Sequence, residues 1–111
     1  MARKKKLQFR KEYGEGIVSG AKTSTIRLNS SLREGDVVIV FAGNEKLGVA
    51  RIEKVEAKKV RDLTREDAVR DGFRSREELL AALKKIYGSR ISDKTEVKLI
   101  RFRMVSRERK D

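Results

Sequence analysis

The chain has 111 residues, with 29 Lys and Arg against 17 Asp and Glu, a net charge of +12, and no Cys, His or Pro. One domain with one sizeable core fits that length, while the missing thiols and imidazoles exclude disulfides, thiolate or imidazole sites for zinc or copper, and every Ser-His or Cys-His nucleophile. No run approaches the roughly 18 uncharged apolar residues of a membrane span, and no apolar segment follows the basic start Met1–Lys6, so neither a membrane anchor nor a secretory signal is expected.

Leu7 and Phe9 alternate with charged neighbours and predict a first strand over 3–10. Tyr13 and Ile17 lie one turn apart, so 11–19 reads as a short helix stopped by Gly20. Thr23 to Leu28 is rich in β-branched residues and reads as a second strand. Val37 to Phe41 is apolar at both parities, which predicts a strand covered on both faces. After the Gly43-Asn44 turn, Leu47 to Val60 continues as strand, with Gly48 marking a bulge.

Two helices follow. Thr64 can cap one, with Asp67 as its third residue and Gly72 beyond its end; Ser75 with Glu78 forms a capping box for the next. Leu79, Leu83 and Ile86, with Tyr87, form a core-facing stripe on that second helix. Val97 to Val105 reads as a closing strand, and the charged ends, about 1–5 and 106–111, are expected to be flexible. Strands outnumber helices and occur in succession, so the expected fold is α+β: a small mixed β-barrel with two or three short helices at its edges, forming one domain over 1–111.

The segment Gly16 to Thr23 approaches a phosphate-loop pattern, but Ala21 replaces its second glycine. The order is also reversed, with a helix before the loop and a strand after it, so a nucleoside triphosphatase is not the reading. On a strand, Thr23, Thr25 and Arg27 share one face while Ser24, Ile26 and Leu28 share the other. The first face offers two hydroxyls and a guanidinium, with Lys22 at its entrance. Such groups suit a phosphate, a carboxylate or the polar edge of a base. A strand whose polar face meets only water has the same spacing, and spacing alone leaves both open.

Gly20-Ala21-Lys22-Thr23-Ser24-Thr25-Ile26-Arg27 resembles the G-x-K-T-x-T-x-R box of the ASCH domains, small barrels of the PUA-like group. The resemblance extends from Tyr13 through Arg33-Glu34-Gly35-Asp36, Leu63 to Ala68 and Asp71-Gly72-Phe73 to Glu77-Glu78-Leu79 and Tyr87. It implies a PUA-like barrel of about five or six strands with a central cleft that binds RNA. Some small bacterial members are amidohydrolases that remove the acetyl group from acetylcytidine with a lysine, a threonine and a glutamate. By position the resemblance maps these roles to Lys22, Thr25 and, one methylene shorter, Asp71.

Arg101 and Arg103 share a face of the last strand, opposite Ile100, Phe102 and Met104, and form a basic stripe suited to a phosphate backbone. Arg3-Lys4-Lys5-Lys6 is either an RNA-contacting arm or a solvated charge run, and Phe73 either stacks on a base or plugs the helix junction. The expected partner is RNA, or a nucleotide or nucleoside, bound by Lys22, Thr23, Thr25, Arg27, Arg101 and Arg103. The alternative is the amidohydrolase with Lys22, Thr25 and Asp71. No cofactor, metal or membrane partner is expected, and the protein is read as a cytoplasmic monomer.

Overall fold

The alternation of Leu7 and Phe9 is realised in strand β1 (Lys5–Phe9), where both face the core, in a computed structural model that describes residues 5–107. A 3-10 turn at Lys11–Tyr13 leads into helix α1 (Gly14–Ser19), which Gly20 ends as expected. Strands β2 (Ser24–Arg27), β3 (Val37–Ala42) and β4 (Glu45–Lys59) come next. Helices α2 (Arg65–Arg70) and α3 (Arg76–Tyr87) then precede strand β5 (Glu96–Arg107). None of the helices among the described residues is long and apolar enough to cross a membrane.

The five strands form one sheet in the order β1-β3-β4-β5-β2. β1 runs parallel to β3 and every other pairing is antiparallel. The two long strands β4 and β5 carry the bend, with register shifts between Val49 and Ala50 and between Ile52 and Lys54. Gly48 lets them cross closely, because a Cβ there would collide with the Ser106 carbonyl.

The curl brings the two edge strands toward each other. Arg27 of β2 donates from Nη2 to the Gln8 carbonyl of β1 at 2.7 Å. The sheet is therefore a half-barrel whose seam is bridged by a side chain instead of a ladder, within the expected α+β class.

Each face of this sheet covers a core. Leu7, Phe9, Val38, Val40, Ile52, Ile100 and Phe102 fill the concave side. Ile26, Val97 and Leu99 meet Leu63, Ala68, Leu79 and Leu83 beneath α2 and α3. Neighbours Leu99 and Ile100 point to opposite cores, which explains the apolar run at the middle of β5.

Helix starts follow the capping signals. Thr64 and Asp67 make a complete capping box. Ser75 accepts from the Glu78 N–H, but the Glu78 carboxylate takes the Arg74 N–H instead of closing a second box.

Three expectations change. β3 buries only Val38, Val40 and Ala42; its other face is partly open, with the Lys6 ammonium 5.6 Å from the Phe41 ring centre. Ile86 is 39% exposed, because the last turn of α3 overhangs the seam instead of covering sheet. β5 continues through Ser106 and Arg107, which pair with Val49 and Gly48. The remaining charged ends, 1–4 and 108–111, lie outside the described residues.

Candidate functional site

The loop after α1 is pinned by two backbone bonds. Lys22 N–H donates to the Gly16 carbonyl at 2.9 Å, and Thr23 N–H to the Arg70 carbonyl at 2.7 Å. Together they turn the Lys22 side chain inward, along Gly72 at the end of α2. Gly72 has φ 91°, so glycine supplies the left-handed turn against which the lysine stem packs.

The buried Lys22 ammonium meets the Asp71 carboxylate and also donates to the Asp71 carbonyl at 2.9 Å. Three rings surround it, with centres at 4.9 Å (Tyr13), 5.7 Å (Phe9) and 5.9 Å (Phe73). Their negative faces help hold a cation away from water. On the other wall, Arg27 donates from Nε to Thr25 Oγ1 at 3.1 Å, and its guanidinium carbon lies 5.2 Å from the Phe9 ring centre.

Between these groups lies a cavity of about 140 Å³ at the seam. Gln8, Phe9, Arg10 and Tyr13 line it from the β1 side, and Lys22, Thr25, Ile26 and Arg27 from the β2 side. Asp71 and Phe73, with Leu83, Ile86 and Tyr87 of α3, complete the wall.

Burial dominates the ionisation of the central pair. It lowers the Lys22 ammonium from its ordinary value, although Asp71 pulls it back up. It pushes the Asp71 carboxyl up to about 6, against the downward pull of Lys22 and Arg27. Burial likewise lowers the Arg27 guanidinium. The pair is thus charged but poorly solvated, which is the condition in which a proton is easily moved.

Of the residues singled out in the sequence, Lys22, Thr25, Arg27 and Asp71 come together at this cavity. Thr23 does not join them. Its backbone is held by the Arg70 turn, and its exposed hydroxyl leans on the Arg70 carbonyl at 3.5 Å. It lines a neighbouring hollow with Arg101 and Arg103, on the other side of Lys22. Arg101 is half-buried there, and Arg103 lies 3.7 Å from Glu53 in the open. Phe73 both packs against the helical core and faces the cavity.

Sequence reasoning missed Gln8, Arg10 and Ile86 as lining residues and assigned Phe9 and Tyr87 to the core alone. Their spacing carries no signal for this role, because the seam joins strands from opposite edges of the sheet. It also missed that Ser24 Oγ is buried without a hydrogen-bond partner, on the helix-covered face of β2.

A curled five-stranded half-barrel with helices at its edges is a PUA-like architecture. The chain belongs to the ASCH domain family, whose profile matches residues 1–106. Members of that family are generally thought to bind RNA. Solved structures agree on the fold. A protein of Enterococcus faecalis V583 superposes with a TM-score of 0.77 at 19% identity, covering 100% of this chain and 86% of its own. An ASCH domain of Lactobacillus crispatus JV V101 gives 0.75 at 14% identity, over 83% of this chain and 69% of that one. A mutant ASCH protein of Zymomonas mobilis gives 0.70 at 20%, over 96% and 74%. No curated protein matches the sequence.

Proposed function

We propose that the protein binds RNA, or a nucleotide of it, by accepting one base in the seam cavity. The observation that carries this reading is the convergence of Lys22, Thr25, Arg27 and Asp71 with four aromatic rings around one small hollow, in a chain of net charge +12. A cavity of roughly 150 Å³ holds one benzene-sized ring, so about 140 Å³ suits a single planar base and little else. Phe9, Tyr13, Phe73 and Tyr87 offer stacking surfaces. Lys22 and Arg27 keep N–H groups not used by Asp71, Thr25 and Gln8, and these can meet the carbonyl edge of a base or an adjoining phosphate. On this reading the protein works as a cytoplasmic monomer without a metal or cofactor.

Calorimetric titration with nucleoside monophosphates and a short RNA tests the reading. RNA affinity should fall steeply as salt rises. It should be lost when Arg27→Gln is combined with the paired change Lys22→Met and Asp71→Leu, which removes the charges together and so spares the fold. Binding indifferent to salt and to these residues rejects the proposal.

The meeting of Lys22, Thr25 and Asp71 also supports the amidohydrolase reading. With the shared proton passed from Lys22 to Asp71, the neutral Lys22 amine would take the Thr25 hydroxyl proton as Thr25 Oγ attacks the acetyl carbonyl of acetylcytidine. The C–N bond would break with the Asp71 proton passing to the departing exocyclic amine, and water would then hydrolyse the acetyl ester. Turnover of acetylcytidine no faster than in the Thr25→Ala variant ends this reading.

A further inference from the structure

Three hollows adjoin one another through the segment from Lys22 to Ser31, and the seam cavity is the middle one. Lys22 is a wall between it and a hollow bordered by Thr23, Arg101, Arg103 and Arg107. Arg27 is a wall between it and a hollow bordered by Lys5, Lys6, Asn29, Ser30 and Ser31. Both walls reach the same ring, with Lys22 Nζ at 5.7 Å and the Arg27 guanidinium carbon at 5.2 Å from the Phe9 ring centre, so the middle hollow is about one base wide.

The hollows differ in chemistry. The middle one is the only one of the three with a set of aromatic rings in its wall, and there the Lys22 and Asp71 charges are paired with each other while Arg10 and Arg27 stand at its border. The first flanking hollow sets three arginines against Glu53 alone, and Arg101 enters no ion pair among the described residues. At the opposite end, Lys5 pairs with Asp36, while Lys6 stands exposed over the Phe41 ring beside two serines. The order is cationic, ring-lined, cationic. A single nucleic-acid strand presents the matching order: phosphate, base, phosphate.

We propose that single-stranded RNA runs along β2, with one base turned into the seam cavity and the phosphates on its two sides held in the flanking hollows. The proposal rests on the reading of the seam cavity as a base site and adds the path of the strand across it. A free nucleoside would leave both flanking sets of cations unused. A duplex would have to flip a base out of its stack before anything could enter the cavity.

The test compares the Kd of the matching mononucleotide with that of a mixed-sequence single-stranded oligoribonucleotide, by fluorescence anisotropy at fixed salt. The oligonucleotide should bind on the order of tenfold or more tightly than the mononucleotide, and more tightly than a duplex of equal length. Arg101→Glu with Arg103→Glu, and separately Lys5→Glu with Lys6→Glu, should each remove most of that advantage. Lys84→Glu with Lys85→Glu, an exposed pair on α3 that borders none of the three hollows, should change it less than about threefold, which separates a track from the general field of a basic protein.

Mononucleotide binding with no gain from the longer strand overturns the track while the cavity reading stands. So does equal loss in all three charge reversals. Oligonucleotide binding that needs both flanking pairs while no mononucleotide binds sinks the cavity reading, and the inserted base with it.

Discussion

Asp67 and Asp71 lie one turn apart, are about equally hidden from solvent, and each pairs with a lysine, yet their environments drive them in opposite directions. Burial alone would push Asp67 up, but Lys58 at 2.7 Å and the Thr64 N–H at 2.9 Å hold it below its ordinary value. Arg70 adds a second cation at 3.7 Å. Lys58 in turn is raised by its hydrogen bond to Asp67 and keeps one side in water. Among the described residues Asp71 is ion-paired only with Lys22, inside a ring-lined hollow, and burial wins. The first carboxylate is satisfied by the helix start that it helps to build. The second is held where its charge is least comfortable, which is the contrast on which the proposed site rests.

The largest effect expected from this contrast is on stability. Lys22→Met strands a buried carboxylate and should cost about 3–5 kcal/mol of unfolding free energy in urea at pH 7, and adding Asp71→Leu should recover most of it. Lys58→Met leaves Asp67 with Thr64 and Arg70 and should cost only about 1 kcal/mol. Equal costs for the two lysines would erase the distinction between the pairs.

Next comes pH. Folded Asp71 keeps its proton up to about 6, whereas the unfolded chain releases it near 3.8, so stability should fall as pH rises between those values. The loss should be on the order of 2–3 kcal/mol and should vanish in Asp71→Asn. Asp67 works with the reverse sign: its folded value lies below 3.8, so its contribution is present at neutral pH and fades as pH falls below about 4. Urea melts across this range, with each aspartate replaced in turn, separate the two slopes. The smallest effect is on binding: Asp67→Ala should cost about 1–2 kcal/mol of stability through loss of the cap but leave nucleotide affinity within about twofold. A large loss of affinity there would move the site toward α2.

Local signals made most of the fold readable. The alternation in β1, the capping residues Thr64 and Ser75, and the apolar run in β5 all act over a few residues, and each appears where its pattern put it. Part of the candidate site was readable too, since Lys22, Thr25 and Arg27, which line the seam cavity, sit in one short segment. Asp71 was reachable only through the family resemblance, because its contact with Lys22 spans 49 residues. Thr23 had the right parity to join Thr25, but alternation governs only residues inside the ladder, and the Arg70 turn captures Thr23 before β2 begins. Gln8, Arg10 and Ile86 were unreadable as site residues for a different reason. They reach the cavity through closure of the curled sheet and the overhang of α3, and no window of sequence contains either event.

The most direct test is a carbon-detected NMR titration of the aspartate carboxyl groups, with and without a saturating nucleotide. Asp71 should titrate near 6 and shift when the nucleotide is added, while Asp67 titrates below its ordinary value and stays where it was. If both titrate low and neither responds to the nucleotide, the Lys22–Asp71 pair is one more structural ion pair and the seam is not a binding site.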